Sequence, residues 1–131
     1  MQLTQKKIVW GIGSITVLVV LAIIVRVLTV PWPPFFIAKT LVPKNTSQEK
    51  ITQLKVAYGK VHGRPFYNQS WTELGTAWYV LGDMTRAIAA YKEAVNLGGE
   101  DGWLPRLNLS RLYTQQGKND EARDLLRDAH K

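Results

Sequence analysis

Residues 71–97 read WTELGTAWYVLGDMTRAIAAYKEAVNL, and this stretch decides the fold. Large and small side chains alternate through it at helical spacing: Trp71, Leu74, Gly75 and Trp78, then Ala87, Tyr91 and Ala94. The spacing predicts two antiparallel helices in close contact. Rings at Trp71, Trp78 and Tyr91 fill the seam, and Gly75, Ala87 and Ala94 stand where the backbones approach. Gly82-Asp83 marks the turn, because glycine readily ends one helix and aspartate caps the next. Ser70 and Glu73 read as an S-x-x-E capping box that starts the first helix at about Trp71. The second helix is expected to run to about Leu97.

Adding 35 to the marker positions reaches Leu109, Ser110, Tyr113, Gly117, Ala122, Leu126 and Ala129. Each keeps the size class of its counterpart Leu74, Gly75, Trp78, Gly82, Ala87, Tyr91 or Ala94. Arg106 takes the place of the opening Trp, and Pro105 lies in the first turn, so this second unit is the more divergent. Asp101 is expected to open its first helix, Gly117 to close it, and Asn119 or Asp120 to begin the last. In that last helix Ala122, Leu125, Leu126 and Ala129 share one face.

These markers resemble the tetratricopeptide repeat, whose pattern runs W-x2-L-G-x2-Y, then A-x3-F, then a closing Pro. Trp78 stands at the Tyr position and Gly98-Gly99 at the Pro position. The step of 35 exceeds the family period by one, which places about one extra residue in the GGEDG connection. The resemblance covers residues 68–131 and implies an all-α fold, a short solenoid of helical hairpins. A further helix is expected in residues 46–67. Thr46 and Glu49 form a second capping box there, and Ile51, Leu54, Tyr58 and Val61 line one face that would pack on the first repeat.

The N-terminal part reads as a membrane anchor. Residues 8–25 carry no charge and are mostly Ile, Val and Leu. As a helix they span about 27 Å, and residues 8–30 about 34 Å, enough to cross a bilayer. Trp10 and Trp32 bracket the stretch, and Pro31, Pro33 and Pro34 stop it. A cleaved signal peptide would have a shorter apolar core followed by a small-residue cleavage site, so an uncleaved anchor is expected. Gly11, Ser14, Leu18, Ala22, Val25 and Thr29 fall on one stripe of this helix, and four of the six are small or hydroxylated, which suits close packing against other helices in lipid. The chain thus divides into a tail (1–7), a transmembrane helix (8–30), a proline-rich basic linker (31–45), a packing helix and loop (46–67) and two repeats (68–131).

The net charge of +7 invites a nucleic-acid reading, but its distribution argues otherwise. Residues 68–131 hold eight Lys or Arg against nine Asp or Glu, whereas residues 1–67 hold nine basic side chains against Glu49 alone. The excess lies beside the anchor, where Arg26, Lys39, Lys44 and Lys50 suit anionic lipid head groups or an acidic partner. No run of aromatic stacking residues accompanies them, so nucleic acid is not expected. A short tail bearing Lys6 and Lys7 is a common start for a bacterial signal anchor. That places the repeats on the periplasmic side of the inner membrane; a count of flanking charges favours the cytoplasmic alternative.

No catalytic constellation, cofactor motif or small-molecule site emerges. His62 and His130 lie on separate helices without acidic neighbours at ligand spacing. Gly11-Ile12-Gly13 sits inside the apolar helix rather than between a strand and a helix, so it is no dinucleotide loop. Glu100 and Asp101 supply too few oxygens for calcium. With no cysteine, thiolate metal sites and disulfides are excluded.

The family resemblance implies protein binding through the concave face made by the first helix of each hairpin. That face would carry Gln69, Thr72, Thr76 and Tyr79 in the first repeat, and Leu104, Leu107, Arg111 and Gln115 in the second. Some family members grip a C-terminal carboxylate with Lys and Asn on these helices. Thr72 and Thr76 stand where the first such pair would be, so that activity is not expected. The resulting expectation is a non-catalytic accessory or assembly subunit whose partners are other subunits of a membrane complex. The alternative is a membrane-tethered chaperone for exported proteins or cytochrome maturation.

Overall fold

The computed structural model describes residues 17–22, 24–25, 35–99 and 102–128, and all regular structure among them is helical. Six helices follow one another from Phe35: α1 (Phe35–Thr40), α2 (Gln48–Gly63), α3 (Asn68–Val80), α4 (Met84–Leu97), α5 (Trp103–Gln115) and α6 (Asn119–Asp128). Each packs chiefly on its neighbours in sequence, with α3 on α4 the most extensive pairing. Such nearest-neighbour stacking is the organisation of a solenoid.

The α3–α4 hairpin forms around a close approach. Trp71, Leu74, Trp78, Ala87, Ala90, Tyr91 and Ala94 are all buried in one core. Tyr91 lies flat on Gly75: a Cβ added there would meet the Tyr91 ring carbons at 2.6 Å. Only glycine admits the ring at that distance. The turn that follows is set by hydrogen bonds, with the Asp83 N–H donating to the Trp78 carbonyl (3.0 Å) and the Gly82 N–H to that of Tyr79 (2.9 Å). Gly82 adopts φ +80° to allow this, the usual helix-ending geometry. Asp83 then caps α4, its carboxylate accepting from the Arg86 backbone N–H at 2.9 Å. The same carboxylate pairs with the Arg86 guanidinium, which lies 5.2 Å from the Trp78 ring centroid.

The α5–α6 hairpin repeats this turn bond for bond, 35 positions later. The Lys118 N–H donates to the Tyr113 carbonyl (2.9 Å), the Gly117 N–H to that of Thr114 (3.0 Å), and Gly117 has φ +76°. Pro105, Leu109, Ser110, Leu112 and Ala122 are buried. The seam, however, is looser than in the first hairpin. Leu126, the counterpart of Tyr91, is 41% exposed. A leucine is too short to cover Ser110 as the tyrosine ring covers Gly75. Lys118 also replaces the capping Asp83, and its ammonium rests instead 5.4 Å from the Tyr113 ring.

Helix α2 extends the stack at the other end. Leu54, Ala57, Tyr58 and Val61 are buried, and Ile51 packs partly buried beside them. Tyr58 meets Trp78 edge to face, with ring centroids 6.2 Å apart. An ion pair between Lys60 and Glu73 joins the exposed rims of α2 and α3. The linker expected over 31–45 is not wholly irregular: α1 lies within it, and Ala38 and Val42 enter the core.

Helix starts differ from the sequence expectation in instructive ways. Helix α3 begins at Asn68, with Tyr67 at the N-cap position and no side-chain cap; Ser70 is buried inside the helix. The Asn68 side-chain amide donates to the Gly98 carbonyl, tying the start of α3 to the end of α4 and fixing the earlier start. Glu73 is thereby free to pair with Lys60 instead of capping. At α2 the N-cap is Ser47 rather than Thr46, again without a side-chain cap bond. Asp101 lies outside the described residues, and Gly102 precedes α5.

The expected membrane helix, residues 8–30, falls mostly outside the described residues. Of it, residues 17–22 and 24–25 are helical and exposed. Among the described residues, no helix is long and apolar enough to cross a membrane.

Two outcomes follow for stability. Gly75→Leu drives a side chain into the Tyr91 ring and is expected to lower the unfolding free energy by about 3 kcal/mol. Gly59→Ala, where an added carbon meets nothing within 4 Å, is expected to raise it by up to about 1 kcal/mol through helix propensity. Urea titration followed by circular dichroism checks both. Burial pushes the Tyr58 and Tyr91 phenols above the ordinary tyrosine value, partly offset by hydrogen bonds from Trp78 and Thr76 respectively. Because the folded state holds these protons more tightly, their contribution is fully present below about pH 10 and is lost as pH rises beyond it. Ultraviolet titration should therefore find two of the five tyrosines ionising late, together with a falling thermal midpoint. Five tyrosines titrating together in the folded chain would contradict it.

Candidate partner-binding face

The first helices of the two hairpins, α3 and α5, present adjoining cavities. The first, about 450 Å³, lies between α2 and α3 and is closed at one end by Leu104 of α5. It gathers Gln69, Thr72, Thr76 and Leu104 from the expected set. Val56 and Val80, 53% and 41% exposed, supply apolar walls. The second cavity, about 410 Å³, gathers Tyr79, Leu107, Arg111 and Gln115, with Asn108 and Leu126. The two adjoin because Thr76 and Tyr79 are one turn apart on α3, as are Leu104 and Leu107 on α5. A hydrogen bond between the Thr76 and Tyr91 hydroxyls, 3.1 Å, crosses the boundary.

The eight residues are not equally available. Thr72 is buried, its hydroxyl donating to the Asn68 carbonyl at 2.9 Å, so it offers no free polar group. Thr76 is exposed, but its hydroxyl is engaged by the Thr72 carbonyl and by Tyr91. Gln69 is exposed and accepts from the Tyr67 hydroxyl at 3.0 Å. Tyr79 and Leu104 are 44% and 36% exposed, Leu107 is half-buried, and Arg111 and Gln115 are exposed. The polar side chains this face leaves accessible are therefore Tyr79, Arg111, Gln115 and Gln69, and the apolar ones Val56, Val80, Leu104 and, in part, Leu107.

Val56 and Val80 were not expected here. Val56 lies away from the stripe of Ile51, Leu54, Tyr58 and Val61, on the side of α2 where a solvated helix would carry a polar residue. That placement was a visible signal. Its meaning needed the groove, which only the packing of α2 on α3 creates.

The remaining expected residues lie elsewhere. Lys39 and Lys44 are exposed, and Lys50 reaches across to the Val80 carbonyl, 3.4 Å away. Arg26 lies outside the described residues, as do Gly11, Ser14 and Thr29. Leu18, Ala22 and Val25 are helical and exposed. No cluster of three or more His, Asp or Glu able to hold a metal ion occurs among the described residues.

No curated protein and no solved structure matches the chain. The family model described as tetratricopeptide repeat matches residues 106–131. That segment covers most of α5 and all of α6 that is described, the hairpin whose turn reproduces that of α3 and α4. Over that segment, about a fifth of the chain, the protein is similar to the tetratricopeptide-repeat family.

Proposed function

We propose that this protein is a membrane-tethered, non-catalytic interaction module that serves as an accessory or assembly subunit of a larger membrane complex. The observation that carries the binding part is the groove itself. Exposed Val56, Val80 and Leu104 line an apolar cavity beside a second one rimmed by Tyr79, Arg111 and Gln115. A helix surface with no ligand to hold gains nothing from setting valine and leucine together in water; a groove shaped by three helices buries them against a partner. The tether rests on the uncharged stretch of residues 8–25, and the basic side chains Lys39 and Lys44, exposed just after it, suit an anionic bilayer surface. In the favoured topology the repeats face the periplasm of a bacterial inner membrane.

Purification of the tagged full chain from mild detergent is expected to bring down a partner at a fixed ratio. Combining Val80→Asp with Leu104→Asp should reduce recovery of that partner more than tenfold, each charge opposing burial by a few kcal/mol. An unchanged helical melting curve would show that the loss is local. Recovery of the chain alone as a monomer counts against the subunit reading, and undiminished recovery with the double variant counts against the groove.

The tether is tested separately. After carbonate washing the chain should stay in the membrane pellet. Since the protein has no cysteine, Gln116→Cys on an exposed turn gives a label site without background. A membrane-impermeant maleimide added to spheroplasts is expected to react with it. Labelling only after lysis would place the repeats on the cytoplasmic side.

A further inference from the structure

Arg111 differs from every other described arginine. Arg64 lies over the Tyr67 ring, Arg86 pairs with Asp83, Arg106 donates to the Gly102 carbonyl, Arg123 pairs with Asp120, and Arg127 pairs with Asp124. Arg111 alone of the six makes none of these contacts among the described residues, although it is exposed at the edge of the second cavity. Among the described residues, no Asp or Glu lines that cavity. In the first, the one carboxylate, Glu73, is already neutralised by Lys60. Among the described residues, the groove therefore has an apolar end at Val80 and Leu104 and an unpaired cation at the other. A guanidinium offers paired donors that match a carboxylate, and the Tyr79 hydroxyl and the Gln115 amide stand beside it as further donors.

We infer that the groove selects an internal acidic segment of its partner, seating an apolar side chain between Val80 and Leu104 and pairing an Asp or Glu carboxylate with Arg111. This rests on the reading of the face as a partner-binding groove and adds to it the chemistry of the occupant. Leu104 and Arg111 are seven positions apart on one helix, about 10 Å at the helical rise. An extended strand covers that distance in about three residues. The segment that fits has Leu, Ile, Val or Phe followed or preceded, about three or four positions away, by Asp or Glu. A lysine at that position would be repelled, so the same geometry rejects basic segments.

Selection of random peptides on the full chain in detergent micelles tests this. The peptides are displayed between constant flanks, so that no free C-terminal carboxylate is present, and at low salt, where exposed pairs are least screened. The expected pool is several-fold enriched in an acid at the stated spacing from an apolar residue. A representative peptide should bind Arg111→Gln about tenfold more weakly, the size of one charge-assisted hydrogen bond. Arg111→Glu should instead select Lys or Arg at the same spacing. Because Arg111 makes no ion pair or hydrogen bond among the described residues and is exposed, both variants should melt as the parent does. Peptides that lose affinity with Leu104→Asp yet show no acidic preference overturn this inference and leave the groove standing. Binding indifferent to both Leu104→Asp and Arg111→Gln, or no binder at all from a folded chain, overturns the groove reading as well.

Discussion

The placement of the Tyr91 ring on Gly75 governs the geometry of everything around it. Because no Cβ intervenes, α3 and α4 come close enough for Ala87, Ala90 and Ala94 to be fully buried without larger side chains. The ring also carries its hydroxyl to Thr76, so the hairpin seam and the groove share one residue. Tyr91 thus fills a core on one side and forms part of a cavity wall on the other. Displacing it would disturb the hairpin core and the cavity wall together.

The contrast between the two hairpins follows from the same contact. Equivalent turns close with equivalent hydrogen bonds, so the backbone repeat is conserved in geometry where its side chains have drifted. At the seam the drift has consequences. Ser110 and Leu126 leave the second hairpin partly open, and the second cavity forms where Leu126 fails to cover the space. The weaker repeat is for this reason the one that offers a depression rimmed by Arg111 and Gln115. A hairpin packed as tightly as the first would have had no room there.

Much of the hairpin architecture was legible in the residues. The burial of Trp71, Leu74, Trp78, Ala87, Tyr91 and Ala94 follows from a spacing visible in residues 71–97, because alternating bulk at helical period leaves few ways to pack. The turns at Gly82 and Gly117 and the cap at Asp83 were equally local. The start of α3 was not. Ser70 and Glu73 satisfy a capping pattern, but the side chain of Asn68 reaches thirty residues along the chain to Gly98 and overrides it. Local signals weigh about 1 kcal/mol, and a tertiary hydrogen bond with its accompanying packing outweighs them. The groove shows the same limit. Gln69, Tyr79, Arg111 and Gln115 follow from helical phase, whereas the burial of Thr72 and the wall formed by Val56 depend on how α2 crosses α3, which no single helix encodes.

A stack this short raises the question of how it could hold a partner at all. Two repeats are fewer than a free-standing solenoid usually needs; α2 supplies cover by packing on α3 with Leu54 and Tyr58 buried, and α1 packs on α2 in turn, with Ala38 and Val42 joining the same core. The exposed groove is still small beside the roughly 800 Å² per partner of a standard interface, so affinity from it alone should be modest. Confinement changes that arithmetic. If residues 8–30 hold the chain in the same membrane as its partner, the second contact becomes intramolecular, with an effective concentration set by the short linker. A weak, chemically selective groove then gives a stable complex in the membrane while binding little in solution. In that arrangement the anchor contributes most of the occupancy, and the groove, with Leu104 at one end and Arg111 at the other, contributes the choice of partner.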